Sequence, residues 1–203
     1  MPAANARYAL ALLLRADGKP AEAEAELRRV LDIRRAEFGE KHPEVAATLG
    51  ELCLVLWDEG NIRDALGCAG ESLALHRAIF PARHREIGVA LNNLAFVEAS
   101  AGKLGEAERD YREALGIAVE SYGLIHPATT VMTANLAIHL LDRVGRPAEA
   151  LGLLRQASAN ASAAALSEAT ETIGTDKLLQ RARGIFAVEV RAAWAVAAGV
   201  TDR

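Results

Sequence analysis

Aromatic residues make up only 4% of this 203-residue chain, although 51% of it is hydrophobic. A core built mainly from Ala and Leu suits closely packed helices better than sheets. Cysteine is almost absent. Cys53 and Cys68 are the only two, and their 15-residue separation fits no zinc pattern. Two thiols make a poor disulfide framework, so the expectation is a pair of reduced, mostly buried thiols in a cytoplasmic protein. No apolar run approaches the ~18 residues of a membrane span. The opening Met1-Pro2-Ala3-Ala4-Asn5-Ala6-Arg7-Tyr8 lacks the charged-then-apolar order of a signal peptide. Charge of one sign is never concentrated. The net charge is −4 and the pI about 5.8, with Lys, Arg, Asp and Glu spread along the chain, which argues against a nucleic-acid footprint. Catalytic signatures are missing too: no Gly-rich phosphate loop, no GxSxG, no HExxH and no Cys/His nucleophile pairing. The chain is therefore read as a non-enzyme that needs no cofactor or metal.

What is present is a phrase repeated at a fixed distance. His42, His84 and His126 are spaced by 42 residues, as are Phe38, Phe80 and Tyr122. Gly18, Gly60 and Gly102 keep the same step, and so do Ala23, Ala65 and Ala107. Leu12, Leu54, Phe96 and Ile138 form a fourth ladder. A period of this size signals a solenoid rather than one globular core. The three histidines lie one period apart, too far to share an ion, and are read as recurring for loop structure.

Hydrophobic spacing predicts helices in pairs. The first ends near Ala16 and the second covers 20–37. Further pairs follow at 43–58 and 62–78, 86–101 and 104–120, and 127–143 and 147–160. Gly18 suits the left-handed residue that ends a helix, and Pro20, Pro43 and Pro127 suit helix starts. Arg85 stands where the third start would have Pro. The charges on the second helix, Arg34 and Arg35 among them, are read as a solvated face. Cys53, Ala95 and Ala137 on first helices, and Ala65, Ala107 and Ala150 on second helices, are small enough to let partners approach closely.

The last part of the chain departs from the pattern. Gly145 falls one residue late, which predicts a single insertion taken up as a longer helix or a bulged turn. Residues 176–198 predict one long amphipathic helix that caps the array. This helix is expected to bury Phe186 and Trp194, either on the fourth pair or against a second molecule.

Helix–turn–helix units with a small residue in each helix, Gly in the turn and Ala after it describe the tetratricopeptide repeat. The 42-residue period, Gly39-Glu40-Lys41-His42-Pro43-Glu44-Val45-Ala46, His126-Pro127 and Leu91-Asn92-Asn93-Leu94-Ala95 together resemble the long repeats of kinesin light chains and their bacterial relatives. The resemblance runs from residue 3 to about 157. The heptad region that binds a motor heavy chain is missing, so cargo transport is not implied. The implied fold is an all-α, right-handed α-α superhelix, a TPR solenoid of four helix pairs plus a C-terminal capping helix. The units would be about 3–42, 43–84, 85–126 and 127–160, with a linker and cap over 161–203.

In that family the first helices line a concave groove that binds an extended peptide, whose backbone is hydrogen-bonded by asparagines. Position by position, Asn93 and Asn135 match the groove asparagine, where the first two units carry Ala9 and Glu51. Asn92 matches its neighbour. The ladder Leu12, Leu54, Phe96 and Ile138 would run along the floor, with Tyr8, Arg15, Trp57, Asp58 and Asp142 on the walls. The same residues have plainer readings: packing between first helices for the ladder, local backbone bonds for the asparagines, and rim packing for Trp57. The resemblance thus implies a non-catalytic scaffold for a protein or peptide, with neither nucleic acid nor membrane as partner. Self-association through Phe186 and Trp194 is a further expectation. The alternative is a regulatory TPR segment of a larger enzyme, such as a caspase-like protease or a nucleotide-hydrolysing switch protein. A short, weak likeness of residues 183–194 to the helical junction before such proteases motivates it.

Overall fold

The structure is a computed structural model that describes residues 2–168 and 187–197. All regular structure among the described residues is helical. The helices are α1 (Pro2–Ala16), α2 (Pro20–Phe38), α3 (Pro43–Asp58), α4 (Ile62–Ile79), α5 (Arg85–Ser100), α6 (Leu104–Tyr122), α7 (Pro127–His139) and α8 (Pro147–Glu168). A π-helical turn, Leu140–Val144, continues α7, and residues 187–197 form α9. No described helix is long and apolar enough to cross a membrane. The chain divides into two compact units, Met1–Ala107 and Glu108–Arg203, with the boundary inside α6.

Each helix start is explained by its residues. Pro43 and Pro127 occupy the first turn of α3 and α7, where the missing N–H would have had no partner. The histidine before each first helix is its N-cap. Nδ1 accepts from the N–H of Glu44 at 3.2 Å for His42, of Glu86 at 3.4 Å for His84, and of Ala128 at 3.1 Å for His126. Each ring also stacks on the aromatic residue that ends the preceding helix. The centroid distances are 4.1 Å to Phe38, 4.2 Å to Phe80 and 4.4 Å to Tyr122. The 42-residue histidine ladder is therefore a repeated cap-and-stack device, and at α5 it works without a following proline.

The turns inside the pairs share one closure. Gly60 has φ 79°, and the next N–H, on Asn61, returns to the carbonyl of Leu56 at 2.9 Å. Lys19 returns to Leu14 and Lys103 to Glu98 at the same 2.9 Å. In the fourth pair Arg146 returns to Leu140 at 2.8 Å, one residue further back, after Gly145 at φ 75°. Leu14, Leu56, Glu98 and Leu140 keep the 42-residue step. The inserted residue thus lies between 140 and 146 and is absorbed as the π turn, the bulged form of the predicted insertion.

The core is thin where close approach requires it. Cys53, Ala95 and Ala137 are fully buried on first helices, as are Ala65, Ala107 and Ala150 on second helices. Within unit 1, α1 packs with α2 and α3 with α4, while α2 and α4 rest on α3 and α5. Leu27, Leu49, Leu56 and Leu91 fill the space between them.

Three expectations need correction. Arg34 is not on a solvated face: it is 4% exposed, and its guanidinium donates to Thr48 Oγ1 at 2.7 Å, Glu44 O at 3.2 Å and Asn5 Oδ1 at 3.2 Å. Helix α8 runs to Glu168, beyond the predicted 160. Trp194 is not buried on the fourth pair. It is 72% exposed, because α9 turns Ala192 inward and the indole outward. Phe186 and the rest of the predicted 176–198 helix before residue 187 lie outside the described residues.

Candidate functional site

Two cross-links set the first helices of unit 1 side by side. Arg15 Nε donates to Asp58 Oδ2 at 2.6 Å, joining α1 to α3, and Trp57 Nε1 donates to Ser100 Oγ at 2.7 Å, joining α3 to α5. Both span 43 residues, one period plus one. Such an offset arises when equivalent helices lie in parallel with the same face presented. This first-helix face carries the residues that the sequence singled out.

Leu12 is exposed on α1, while Leu54 on α3 and Phe96 on α5 are half-buried against the core. Phe96 meets the Trp57 ring with centroids 4.5 Å apart, tilted by 58°. Trp57 is thus a packed, hydrogen-bonded part of the face rather than a free side chain. Asn92 and Asn93 are half-buried one turn before Phe96. Asn93 lies against Gly50 of α3, where a Cβ would sit 3.7 Å from its Nδ2.

Charge on the face is unbalanced. Arg15 reaches Asp58 and lies 3.9 Å from Glu51, so one cation serves two carboxylates. Burial pushes the Glu51 carboxyl above its ordinary range, against the pull of Arg15. Tyr8 is half-buried beneath the Arg34 guanidinium, 4.7 Å from its ring centroid. Its hydroxyl is pushed up to about 12, first by burial and then by Glu51.

Unit 2 carries its own members. Asn135 is half-buried and Ile138 exposed on α7. Asp142, in the π turn, is paired with Arg191 of α9 at 3.2 Å, beside a cleft of about 400 Å³ lined by Leu141, Val190 and Trp194. The wall residue of the sequence reading is therefore engaged by α9.

Sequence reasoning missed one exposed residue in each unit. Val89 and Val131 are 40% and 46% exposed on α5 and α7. Each stands four residues before an asparagine of the sequence reading and seven before the ladder residue: Val89, Asn93, Phe96 and Val131, Asn135, Ile138. The signal was available, since the two valines are 42 residues apart and share a helical stripe with the ladder.

The thiols belong to the core. Cys53 donates to Gly50 O at 2.9 Å, and burial pushes its thiol up to about 12, while Cys68 is half-buried with its thiol also raised by burial. Both are free. Among the described residues no group of three or more His, Cys, Asp or Glu side chains could hold a metal ion.

Paired helices, the turn glycines and the 42-residue register define a class, and comparison of the sequence with protein families places the chain within it. The tetratricopeptide repeat profile matches residues 2–78 and 86–163, so the chain belongs to the tetratricopeptide repeat family. Among solved structures it is similar to the nearly identical TPR-like repeats of a Podospora anserina protein described as a kinesin light chain. That match has 20% identity and a TM-score of 0.68, covering 90% of this chain and 94% of the other. BtubC (BKLC) from P. vanneervenii is 18% identical with a TM-score of 0.64 over 93% of this chain and 78% of the other. The apo form of RapI is 16% identical with a TM-score of 0.68 over 92% and 69%. No curated protein sequence matches this chain.

Proposed function

We propose that this chain is a non-catalytic scaffold that holds an extended segment of a partner protein on its first-helix face. The observation that carries the reading is the stripe Val89, Asn93, Phe96 on α5: two apolar side chains flank an amide, all at least partly open to solvent. Such a stripe offers apolar contact at both ends and a hydrogen-bonding group between them, which is what an extended backbone needs. The same triplet recurs as Val131, Asn135, Ile138 in unit 2, and Leu12 and Leu54 extend the apolar surface in unit 1. We divide the array into repeats at 3–42, 43–84, 85–126 and 127–160, with the remainder as linker and cap. Two free thiols fit a cytoplasmic setting. A net charge of −4 without basic blocks fits a protein partner rather than nucleic acid.

The charges indicate which segment is preferred. Arg15 is already shared by Asp58 and Glu51, so an acidic ligand would face net negative charge on this face. Like charges across an interface penalise the wrong partner. The ligand is therefore an apolar segment with neutral or basic flanks.

A peptide array followed by titration of its best binder tests this reading. Losing the amide contact to a buried backbone group costs about 1–3 kcal/mol, so Asn93→Ala should weaken binding roughly five- to 150-fold with an unchanged circular dichroism spectrum. Phe96→Ala should also weaken binding, and its melting curve separates lost contact from lost packing. Preference for acidic peptides, unchanged in Glu51→Lys, would overturn the assignment of the face.

A further inference from the structure

Unit 1 divides its first-helix face into a charged part and a neutral part. On α5 the stripe consists of Val89, Asn92, Asn93 and Phe96, all at least partly open to solvent and none of them ionisable. On α1 and α3 the same face carries Tyr8, Arg15, Glu51 and Asp58. The 42-residue register sets Glu51 where α5 has Asn93, so a carboxylate stands in place of an amide. The two parts adjoin: Trp57 and Ser100 tie α3 to α5, and Asn93 lies against Gly50, the residue before Glu51.

The two carboxylates are not equally served. Arg15 Nε donates to Asp58 Oδ2 at 2.6 Å, while its nearest approach to Glu51 is 3.9 Å, beyond hydrogen-bond reach. Among the described residues no other cation comes within ion-pair distance of Glu51. A carboxylate that loses water without gaining a cation or donors is costly, and burial does raise the Glu51 carboxyl. Its charge, after burial, also helps to raise the Tyr8 hydroxyl, so the phenol lies close by. Leu12 and Leu54 follow one turn later on the same two helices. A long side chain ending in a positive charge matches this setting, with its methylenes on the apolar groups and its charge at the carboxylate.

We infer that Glu51 anchors one lysine or arginine side chain of the extended segment, at a fixed distance from the residue that Asn93 holds. The inference rests on the first-helix face being the binding surface. Packed helices lie about 8–10 Å apart, and an extended chain advances about 3.3 Å per residue. Glu51 and Asn93 are equivalent positions on adjacent first helices, so the basic residue falls about three residues from the one bonded by Asn93. Helix α3 lies on one side of α5, so the spacing counts in one direction along the segment. Recognition is then by position as well as by charge: the same lysine elsewhere in the segment leaves Glu51 without its cation.

The probe is a set of short peptides, each with a central Leu-Ser-Leu and a single lysine moved one residue at a time. With the full chain, affinity should peak where the lysine stands about three residues to one side of the centre. There it should exceed that of the same peptide with norleucine by about tenfold. Glu51→Gln keeps the shape and removes the charge, and should abolish the peak with an unchanged circular dichroism spectrum. Asn93→Ala should weaken every peptide alike and leave the peak where it is. Affinity indifferent to lysine position, or a peak that survives Glu51→Gln, would overturn the Glu51 anchor, while weakening by Asn93→Ala would still uphold the face. Peptides indifferent to Asn93→Ala, or a parent chain that binds none of them, would overturn the face and the anchor with it.

Discussion

In unit 1 a single arginine, Arg34, lies buried where α1, α2 and α3 meet, whereas in unit 2 Arg112 and Arg146 share two carboxylates near the surface. Arg34 satisfies oxygens on Asn5, Glu44 and Thr48, pairs with the Glu44 carboxylate at 2.6 Å and covers the Tyr8 ring. Arg112 reaches Glu108 at 2.8 Å and Glu149 at 2.5 Å, and Arg146 reaches Glu108 at 2.8 Å and Glu149 as well. By number of ion pairs the second arrangement is the richer. By physical worth it is the poorer, because exposed pairs are screened and cost side-chain entropy, while a buried donor leaves its partners unsatisfied when removed. Setting, not the count of bonds, decides what holds each unit.

The largest test of that contrast is substitution of the arginines. Arg34→Met keeps the volume and removes the donors, and should cost about 2–3 kcal/mol in urea unfolding. Arg112→Met should cost no more than about 1 kcal/mol. Equal losses would break the comparison.

The histidine caps provide a standard common to both units. His42→Ala, His84→Ala and His126→Ala should each cost about 1–2 kcal/mol, part from the cap and part from the stacked ring. His84 should be the most sensitive, since α5 begins at Arg85 rather than at a proline. Asparagine at the same sites should restore the cap share alone. If asparagine restores everything, the stacking contributes nothing.

The smallest effect is that of pH, and it has opposite signs in the two units. At Glu108 burial acts to raise the carboxyl, but hydrogen bonds from Arg112 and Arg146 outweigh it and hold the group below its ordinary 4.5. Its stabilisation is therefore present above that value and lost as pH falls through the lowered one. Glu51 is raised by burial, so its contribution is fully present below the ordinary value and lost as pH rises through the raised one. On acidification from about pH 6 to about pH 3.5, amide protection in α8 should weaken, and Glu108→Gln should flatten that slope. Glu51→Gln should slightly raise the melting temperature near neutral pH. A Glu108→Gln chain with the parent's acid response would remove the four-residue cluster from the account.

Most of the fold was legible because the repeat states it several times. The boundaries of α3 follow from Pro43 and Gly60, and the fully buried small residues were read from periodicity alone. The unread parts are those that occur once. Arg34 looks like any charge on an amphipathic helix. Only its register with His76 and Ala118, both buried one and two periods on, hints at its position. The Arg191–Asp142 pair spans 49 residues and matches no period. Of the two places expected for Trp194, the fourth pair is excluded by its exposure, because α9 has a second apolar side that spacing alone cannot rank. On the candidate face the ladder came from periodicity and the asparagines from family resemblance, while Val89 and Val131, although 42 residues apart, stood out only once their exposure was seen.

The two tryptophans of this chain sit in different surroundings, and that gives the molecule two distinguishable optical signals. Trp57 has its indole N–H held by Ser100 and its ring against Phe96, so its emission arises from a fixed, partly dry environment. Trp194 emits from a side chain that is 72% exposed, so its light is redder and open to quenching by added iodide. Under the proposed reading a ligand on the first-helix face should alter the blue component, while the red one reports the surroundings of α9. Replacing Trp194 with phenylalanine leaves a single tryptophan, built into the first-helix face of unit 1.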